Sequence, residues 1–125
     1  MKLSMPLLFL TFLTIQDAQA ETLTTHCTFR DIASVQTFKV SVTEVVPGIE
    51  KIRLEEQTGN KKTIEAFPTK TSDRGTLNYF FPANVYSNAR VDYRFIIDPS
   101  GTKSLYLYNY FYRDDMPYRY LYRCD

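Results

Sequence analysis

Alternating tyrosines in the last stretch of the chain, Lys103 to Asp125, constrain the fold more than any other feature of the sequence. Seven of the ten tyrosines lie here, in two runs with one at every second position: Tyr106, Tyr108, Tyr110 and Tyr112, then Tyr118, Tyr120 and Tyr122. A period of two is typical of a β-strand, whose side chains point alternately to opposite faces. Asp114-Asp115-Met116-Pro117, between the runs, favours a turn. The stretch therefore predicts a β-hairpin.

The register of this hairpin decides which side chains it exposes. A two-residue turn at Asp115-Met116 would pair Arg113 with Tyr118 and Phe111 with Tyr120. The core face would then hold Leu105, Leu107, Phe111, Tyr118, Tyr120 and Tyr122, and the outer face would show Tyr106, Tyr108, Tyr110, Tyr112, Arg119, Leu121 and Arg123. A change of one residue in loop length would put all seven tyrosines on one face instead.

The rest of the chain also alternates with a period of two and shows no convincing helix. Strands are predicted at 25–30, 35–46, 49–56, 61–69, 76–86, 90–98, 104–113 and 118–124, with a polar loop at 70–75. Short connections favour antiparallel neighbours. The sequence therefore predicts an all-β fold, a small eight-stranded antiparallel meander that closes into a barrel. A two-sheet β-sandwich is the alternative, because Pro68 and Pro82 interrupt two of the strands.

The first twenty residues have the layout of a secretory signal peptide. Lys2 gives a positive start, Leu3 to Ile15 is mostly apolar, and Ala18-Gln19-Ala20 is a small-x-small cleavage site. Cleavage after Ala20 would leave residues 21–125 as one domain, which predicts a secreted or periplasmic protein. No later apolar stretch reaches membrane-spanning length, so no membrane span is expected after cleavage.

The two cysteines, Cys27 and Cys124, lie near opposite ends of the exported part. Export favours disulfide formation, so a Cys27–Cys124 bond is predicted. In the barrel it would join the first strand to the last across the closing seam. The chain-entropy model assigns a ring of this size up to about 4.7 kcal/mol, a large share of the net stability of a small domain.

The sequence carries no catalytic or cofactor signature. His26 is the single histidine, and its neighbour Cys27 would be consumed by the disulfide. Neither a metal-ligand cluster nor a glycine-rich phosphate loop is present, so no cofactor and no metal site is expected. A formal net charge of +1 gives no reason to expect nucleic acid as a partner. These observations favour a protein that is not an enzyme.

The outer face of the tyrosine hairpin is the candidate binding surface. A row of tyrosines flanked by arginines has the composition of a protein-binding hot spot, and the rings could equally stack on sugars. The predicted binding residues are Tyr106, Tyr108, Tyr110, Tyr112, Arg119 and Arg123. Two alternatives remain: tyrosines that only stabilise the sheet through cross-strand pairs, and tyrosines that line a small-ligand cavity inside the barrel.

A resemblance suggests one further alternative. Cys27-Thr28-Phe29, Tyr122-Arg123-Cys124 and the loop Ser87-Asn88-Ala89-Arg90 are together similar to features of the periplasmic inhibitors of C-type lysozyme. The resemblance implies a small exported β-barrel that inhibits a cell-wall hydrolase, with Ser87 and Arg90 in the inhibitory loop. The chain departs from the family pattern at Asn88, where a glycine is expected, and at Val91, where a tyrosine is expected.

Overall fold

The computed structural model describes residues 20–86, 89–111 and 117–125, and the predicted signal peptide lies almost wholly outside them. The described residues form nine β-strands and no helix. The strands are β1 Ala20–Arg30, β2 Val35–Val46, β3 Ile49–Glu56, β4 Thr63–Ala66, β5 Thr69–Asp73, β6 Thr76–Tyr86, β7 Ala89–Ile97, β8 Lys103–Phe111 and β9 Tyr118–Cys124. The prediction of an all-β antiparallel fold is confirmed, with nine strands instead of eight.

All nine strands belong to one sheet, which curls into a half-barrel. Their order is β4-β3-β2-β1-β9-β8-β7-β6-β5. Every pair of strands adjacent in sequence is also paired in the sheet, except β4 and β5, which form its two edges. The first and last strands are neighbours in the middle. This is the connectivity of the predicted meander barrel, left open between β4 and β5.

Strand β5 accounts for the extra strand, and the prediction of a loop at 70–75 was wrong. Residues Thr69–Asp73 pair with β6 from Thr69 opposite Phe80 to Asp73 opposite Thr76. Arg74 and Gly75 both have positive φ, which is the conformation of a tight two-residue hairpin turn. All five residues of β5 are exposed. An exposed edge strand buries no side chains, so it lacks the apolar alternation by which the other strands were predicted.

Pro82 lies in β6 at a place where the sheet tolerates a missing N–H group. The pairing of β5 with β6 ends at Phe80, so β5 does not cover this part of β6. On its other side Pro82 lies opposite Asp92 of β7, and the register shifts between Ala83 and Tyr86. Proline is found at such edges and irregularities because it cannot donate to the strand ladder.

The concave face of the half-barrel holds the hydrophobic core. Its most buried side chains lie on β1, β2, β3, β6, β7, β8 and β9, at every second position where a strand contributes more than one. They are Cys27, Phe38, Val40, Val42, Ile52, Leu54, Tyr79, Phe81, Val91, Tyr93, Phe95, Leu105 and Tyr122. Rings fill much of this space. Phe81 stacks on Tyr93 with centroids 5.3 Å apart, and Phe38 contacts both Tyr93 and Tyr122.

The central junction between β1 and β9 joins the two halves of the chain. Cys27 pairs with Cys124 and Thr28 pairs with Arg123, and the predicted Cys27–Cys124 disulfide is present at this point. Asp125 extends the junction, because its carboxylate accepts hydrogen bonds from the Thr25 hydroxyl at 2.6 Å and from the His26 N–H at 2.8 Å. These bonds hold the pKa of Asp125 below its usual value.

Across the described residues, no helix has the length and apolar character needed to cross a membrane.

Candidate binding surface

The tyrosine hairpin forms with the predicted faces but with a different pairing. Tyr108 lies opposite Arg119, and Asn109 lies opposite Tyr118. The predicted pairs of Arg113 with Tyr118 and Phe111 with Tyr120 are therefore wrong. The connection after β8 is longer than the predicted two-residue turn at Asp115-Met116. Since the shift is an even number of residues, it leaves each described side chain of the hairpin on its predicted face.

The core face of the hairpin is only partly as predicted. Leu105 and Tyr122 are buried, and Leu107 and Tyr120 pack against the core. Tyr118 was expected in the core, but it is 54% exposed because it lies at the end of the sheet, opposite the last residue of β8 that pairs with β9. The side chains of Ser87, Phe111 and Tyr112 lie outside the part of the chain that the structure describes.

Strand β7 supplies two arginines that were not among the predicted binding residues of the hairpin. Arg90 lies opposite Tyr110, and Arg94 lies opposite Tyr106. We call the six outward residues Arg90, Arg94, Tyr106, Tyr108, Tyr110 and Arg119 the tyrosine–arginine face. The sequence does contain a signal for this pairing. The short loop at Asp98-Pro99-Ser100-Gly101 sets the register of β7 with β8 once the length of the loop is known.

Each described tyrosine of the face lies beneath or beside an arginine. The guanidinium carbon of Arg90 is 4.5 Å from the ring centroid of Tyr110. Arg94 lies 5.6 Å from the rings of both Tyr108 and Phe80. A continuous row of stacked groups thus crosses β6, β7 and β8, because cations are attracted to the faces of aromatic rings.

The row continues onto β9. The rings of Tyr106 and Tyr108 stack on each other with centroids 6.3 Å apart and an interplanar angle of 24°. Arg119 of β9 lies 5.8 Å from the ring of Tyr106. The three tyrosines are half-buried, so the arginines hold their rings in place while part of each ring remains accessible. Arg123, the remaining predicted binding residue, lies further along β9, in a shallow depression with His26, Arg30 and Leu121.

Asp92 is the one acidic residue among the outward side chains of β7, and it is covered. Its side chain is 3% exposed, whereas that of its partner Arg90 is 61% exposed. The Nη2 group of Arg90 donates to the Asp92 carboxylate at 2.8 Å, and this bond raises the pKa of Arg90. The carboxylate therefore positions Arg90 over Tyr110 but presents little negative charge to solvent.

The outer face of β3 and β4 has a different electrostatic character. Lys51 contacts Glu65 at 2.7 Å, and Arg53 contacts Glu55 at 3.2 Å and Glu65 at 3.5 Å. The hydrogen bond from Lys51 lowers the pKa of Glu65. On this half of the sheet, exposed carboxylates thus balance the cations. The tyrosine–arginine face has no such exposed acid among its six residues.

A small cavity opens on the concave side, at the end of the half-barrel away from Pro68. It has a volume of about 120 Å³ and is lined by Gln36, Phe38, Glu56, Lys62, Ile64, Val91, Tyr93, Leu107 and Asn109. The hydroxyl of Tyr122 donates to Gln36 Oε1, and Gln36 Nε2 donates to Glu56 at 2.8 Å. The Oδ1 atom of Asn109 is buried without a hydrogen-bond partner. A pocket of this size could hold a few water molecules.

The described residues near the single histidine do not form a metal site. Within 20–86, 89–111 and 117–125, no group of three or more His, Cys, Asp or Glu side chains could hold a metal ion. His26 Nδ1 lies 3.8 Å from an Asp125 carboxylate oxygen. Cys27 beside it is bonded to Cys124 and so has no thiolate to act as a nucleophile.

Of the loop Ser87-Asn88-Ala89-Arg90, which resembles the inhibitory loop of the lysozyme inhibitors, the structure describes only the last two residues. Ser87 and Asn88 lie outside the described residues, whereas Arg90 is exposed and belongs to the tyrosine–arginine face. Val91, which stands where the lysozyme-inhibitor pattern has a tyrosine, is buried in the core.

Comparison of the chain with known protein families, with curated proteins and with solved structures finds no significant match.

Proposed function

We propose that this is a secreted or periplasmic, non-enzymatic binding protein that engages a partner protein or glycan through the tyrosine–arginine face. The observation that carries the proposal is the row of arginines stacked on outward tyrosines across β7, β8 and β9. Tyrosine and arginine are enriched in the residues that dominate binding energy at protein interfaces. Stacked side chains also lose less conformational freedom on binding than mobile ones.

A role in stabilising the sheet accounts for the tyrosines but not for the exposed arginines beside them. Cross-strand aromatic pairs stabilise a sheet, and the stacking of Tyr106 on Tyr108 has that effect. Arg90 is still 61% exposed while its carboxylate partner is buried, so the guanidinium remains available to solvent. On the concave side, the described rings are tightly packed and line a cavity of about 120 Å³, smaller than is usual for a small-ligand site, which favours the outer face.

The test compares capture of a partner by wild-type protein and by a double variant, Tyr108→Ser/Tyr110→Ser. Each protein is immobilised with its disulfide intact and exposed to an extract of the producing cells. Any retained partner is then purified, and its affinity is measured by calorimetry. Removal of two hot-spot rings should weaken binding at least about tenfold. Ser41→Ala/Thr43→Ala, on the outer face of β2, is the matched control and should bind like wild type. Unchanged affinity in the folded tyrosine variant would remove the proposal.

Inhibition of a cell-wall hydrolase is the second candidate, favoured by the exposed position of Arg90 at the end of the resembling loop. A lysozyme activity assay with added protein tests it. Inhibition that is lost in Arg90→Gln but kept in Lys39→Gln would support this candidate. No inhibition at a large molar excess would exclude it for C-type lysozyme.

A further inference from the structure

Each described tyrosine ring of this face already contacts an arginine within the protein. Arg90 covers Tyr110, Arg94 covers Tyr108, and Tyr106 lies between Tyr108 and Arg119. Stacking on a sugar requires an open aromatic face, so a sugar would compete with these arginine contacts. A partner that binds the hydroxyls and the guanidinium N–H groups would not have to displace them.

The guanidinium groups are positively charged and can only donate hydrogen bonds, whereas the tyrosine hydroxyls can donate and accept. A guanidinium that stacks through its flat face keeps its in-plane N–H groups free to form paired bonds with a carboxylate. The Nε atom of Arg94 is buried, so a partner's carboxylate would have to meet the Nη groups of this side chain. Carboxylates would satisfy the guanidinium donors that solvent can reach.

The distribution of exposed carboxylates also favours a partner that carries carboxylates. Asp92, the acid among the outward residues of β7, is 3% exposed and bonded to Arg90. By contrast, Glu55 and Glu65 neutralise Lys51 and Arg53 on the other half of the sheet. As far as the described residues show, an acidic partner would therefore meet less carboxylate repulsion at the tyrosine–arginine face than at the outer face of β3 and β4.

Apolar area accompanies the charge. The rings of Phe80 and Tyr108 flank Arg94, and Leu121 lies opposite Tyr106 on β9. A mixture of aromatic, aliphatic and arginine side chains is typical of the central part of a protein–protein interface. An acidic polysaccharide offers carboxylates but little apolar surface to match these residues.

We propose that the tyrosine–arginine face recognises carboxylates on an acidic protein surface, with Arg94 and Arg119 as the main anchors. The inference rests on the proposed function and specifies the chemistry of its partner. It predicts that binding weakens as salt rises, because salt screens the attraction between solvent-exposed charges before they meet.

Three defined probes test the inference by calorimetry at low and at physiological ionic strength. A random copolymer of glutamate and tyrosine represents an acidic polypeptide, polygalacturonate an acidic glycan, and chitohexaose a neutral glycan. The wild-type protein should bind the copolymer most tightly. Arg94→Gln/Arg119→Gln should weaken that binding at least about tenfold, as expected for the loss of charged hydrogen bonds. Lys39→Gln/Arg53→Gln removes the same charge from the other half of the sheet and should change it less than about twofold.

The possible outcomes separate this inference from the proposed function. Equal or tighter binding of polygalacturonate, with the same arginine dependence, would overturn the choice of a protein partner. Salt-independent binding of chitohexaose, or equal weakening by both double variants, would overturn carboxylate recognition at this face. Failure to bind the copolymer would do the same. In each case a natural partner lost in Tyr108→Ser/Tyr110→Ser would still support the proposed function. If Arg94→Gln/Arg119→Gln fails to fold, the exposed single variant Arg119→Gln should still weaken binding.

Discussion

Arginine has two roles at the tyrosine–arginine face, and both depend on its flat guanidinium. The guanidinium lies over an aromatic ring, as that of Arg90 lies over Tyr110 at 4.5 Å, and its N–H groups donate hydrogen bonds, as Arg90 does to Asp92 at 2.8 Å. Lysine could provide the charge but not both contacts in one geometry. Arg90, Asp92 and Arg94 on the outer face of β7 therefore form an ordered set of ion-pair and ring contacts and are not simply solvated charges.

Asp98 shapes the turn that aligns β7 with β8. Its carboxylate accepts hydrogen bonds from the N–H groups of Ser100 and Thr102 and from the Ser100 hydroxyl. These bonds, above all the one from the Ser100 hydroxyl, lower the pKa of Asp98 from its ordinary value of 3.8. The turn thus holds Arg94 opposite Tyr106.

Asp98→Asn should lower the melting temperature at neutral pH, by an amount that shrinks in acid. Because the pKa is lower in the folded state, the unfolded chain takes up its proton first as pH falls below about 4. The stabilisation by the carboxylate is present above that pH and is lost as pH falls through the folded pKa. Thermal unfolding of both proteins between about pH 7 and pH 2 measures the difference. A constant difference over this range would contradict the prediction.

Tyr122 should contribute to a loss of stability in alkali. Burial raises its pKa, and Tyr79 and Lys70 also have raised pKa values. Above about pH 10 the unfolded chain loses protons that the folded protein keeps, so the free energy of unfolding falls as pH rises.

Tyr122→Phe should flatten this alkaline decline. It also leaves Gln36 Oε1 without its donor, at a cost of about 1–2 kcal/mol at neutral pH. Urea unfolding at about pH 8 and pH 11 separates the two effects. Tyr118→Phe removes a tyrosine hydroxyl from an exposed ring and is the control for the substitution itself. The prediction is wrong if Tyr122→Phe keeps the slope of the wild-type protein.

At the scale of the strands, the open side of the half-barrel needs its own stabilisation. Glu50 of β3 and Lys70 of β5 contact each other at 2.6 Å across the two edge regions. Glu50 is 12% exposed, and Lys70 also lies 5.4 Å from the ring of Tyr79. The hydrogen bond from Lys70 to Glu50 is the main reason for the raised pKa of Lys70. This ion pair joins β3 and β5, which are not neighbours in the sheet.

A double-mutant cycle with Glu50→Gln and Lys70→Gln should give a coupling free energy of about 0.5–1 kcal/mol at low salt. The value is modest because Lys70 is 44% exposed and solvent screens the pair. It should fall as ionic strength rises. The same cycle on Arg53 and Glu55, which are neighbours on one strand, should give less. A coupling of zero at low salt would show that the pair does not stabilise the open edge.

The sequence predicted strands well wherever one face of the strand is buried. In β2, Phe38, Val40 and Val42 alternate with polar residues, and all three are in the core. In β5 no side chain is buried, so no pattern marked it. The pairing of β8 with β9 was missed for another reason. Composition indicates a turn between the two strands but does not fix its length, which sets the register.

The sequence pointed to the tyrosines of β8 as part of the candidate surface but not to the arginines of β7 beside them. The alternation of Tyr106, Tyr108 and Tyr110 identified one outward strand. Arg94 could be placed beside Tyr106 only through the register of β7 with β8, a contact between strands. The burial of Asp92 depends on the side chains packed around it, so its sequence position alone could not reveal it.

In the part of the chain that the structure describes, the sheet has two halves, whose strands pair where β1 lies beside β9. Strands β1 to β4 form one half and β5 to β9 the other. The chain connects them through Phe67-Pro68 at the open edges, and β1 pairs with β9 in the middle. Around the disulfide, Phe29 and Phe38 of the first half contact Tyr120 and Tyr122 of the second. The candidate binding surface lies entirely on the second half.

The disulfide should provide a large part of the stability of this arrangement. Cys27 and Cys124 are 97 residues apart in the chain, so the bond restricts nearly all of the unfolded domain. In the chain-entropy model a ring of this size stabilises by about 4.7 kcal/mol, an upper value. Cys27→Ala/Cys124→Ala should therefore lower the free energy of unfolding by about 3–5 kcal/mol in urea titrations.

Wild-type protein measured in the presence of a reductant is the control, and it should lose a similar amount. Because the β7–β8–β9 surface has its own strand pairing and stacked side chains, the variant should still bind the partner under conditions where it remains folded. A stability loss below about 1 kcal/mol would mean that the aromatic contacts and the Asp125 hydrogen bonds hold the junction without the bond. Loss of binding in a folded variant would mean that the geometry of the tyrosine–arginine face depends on the junction.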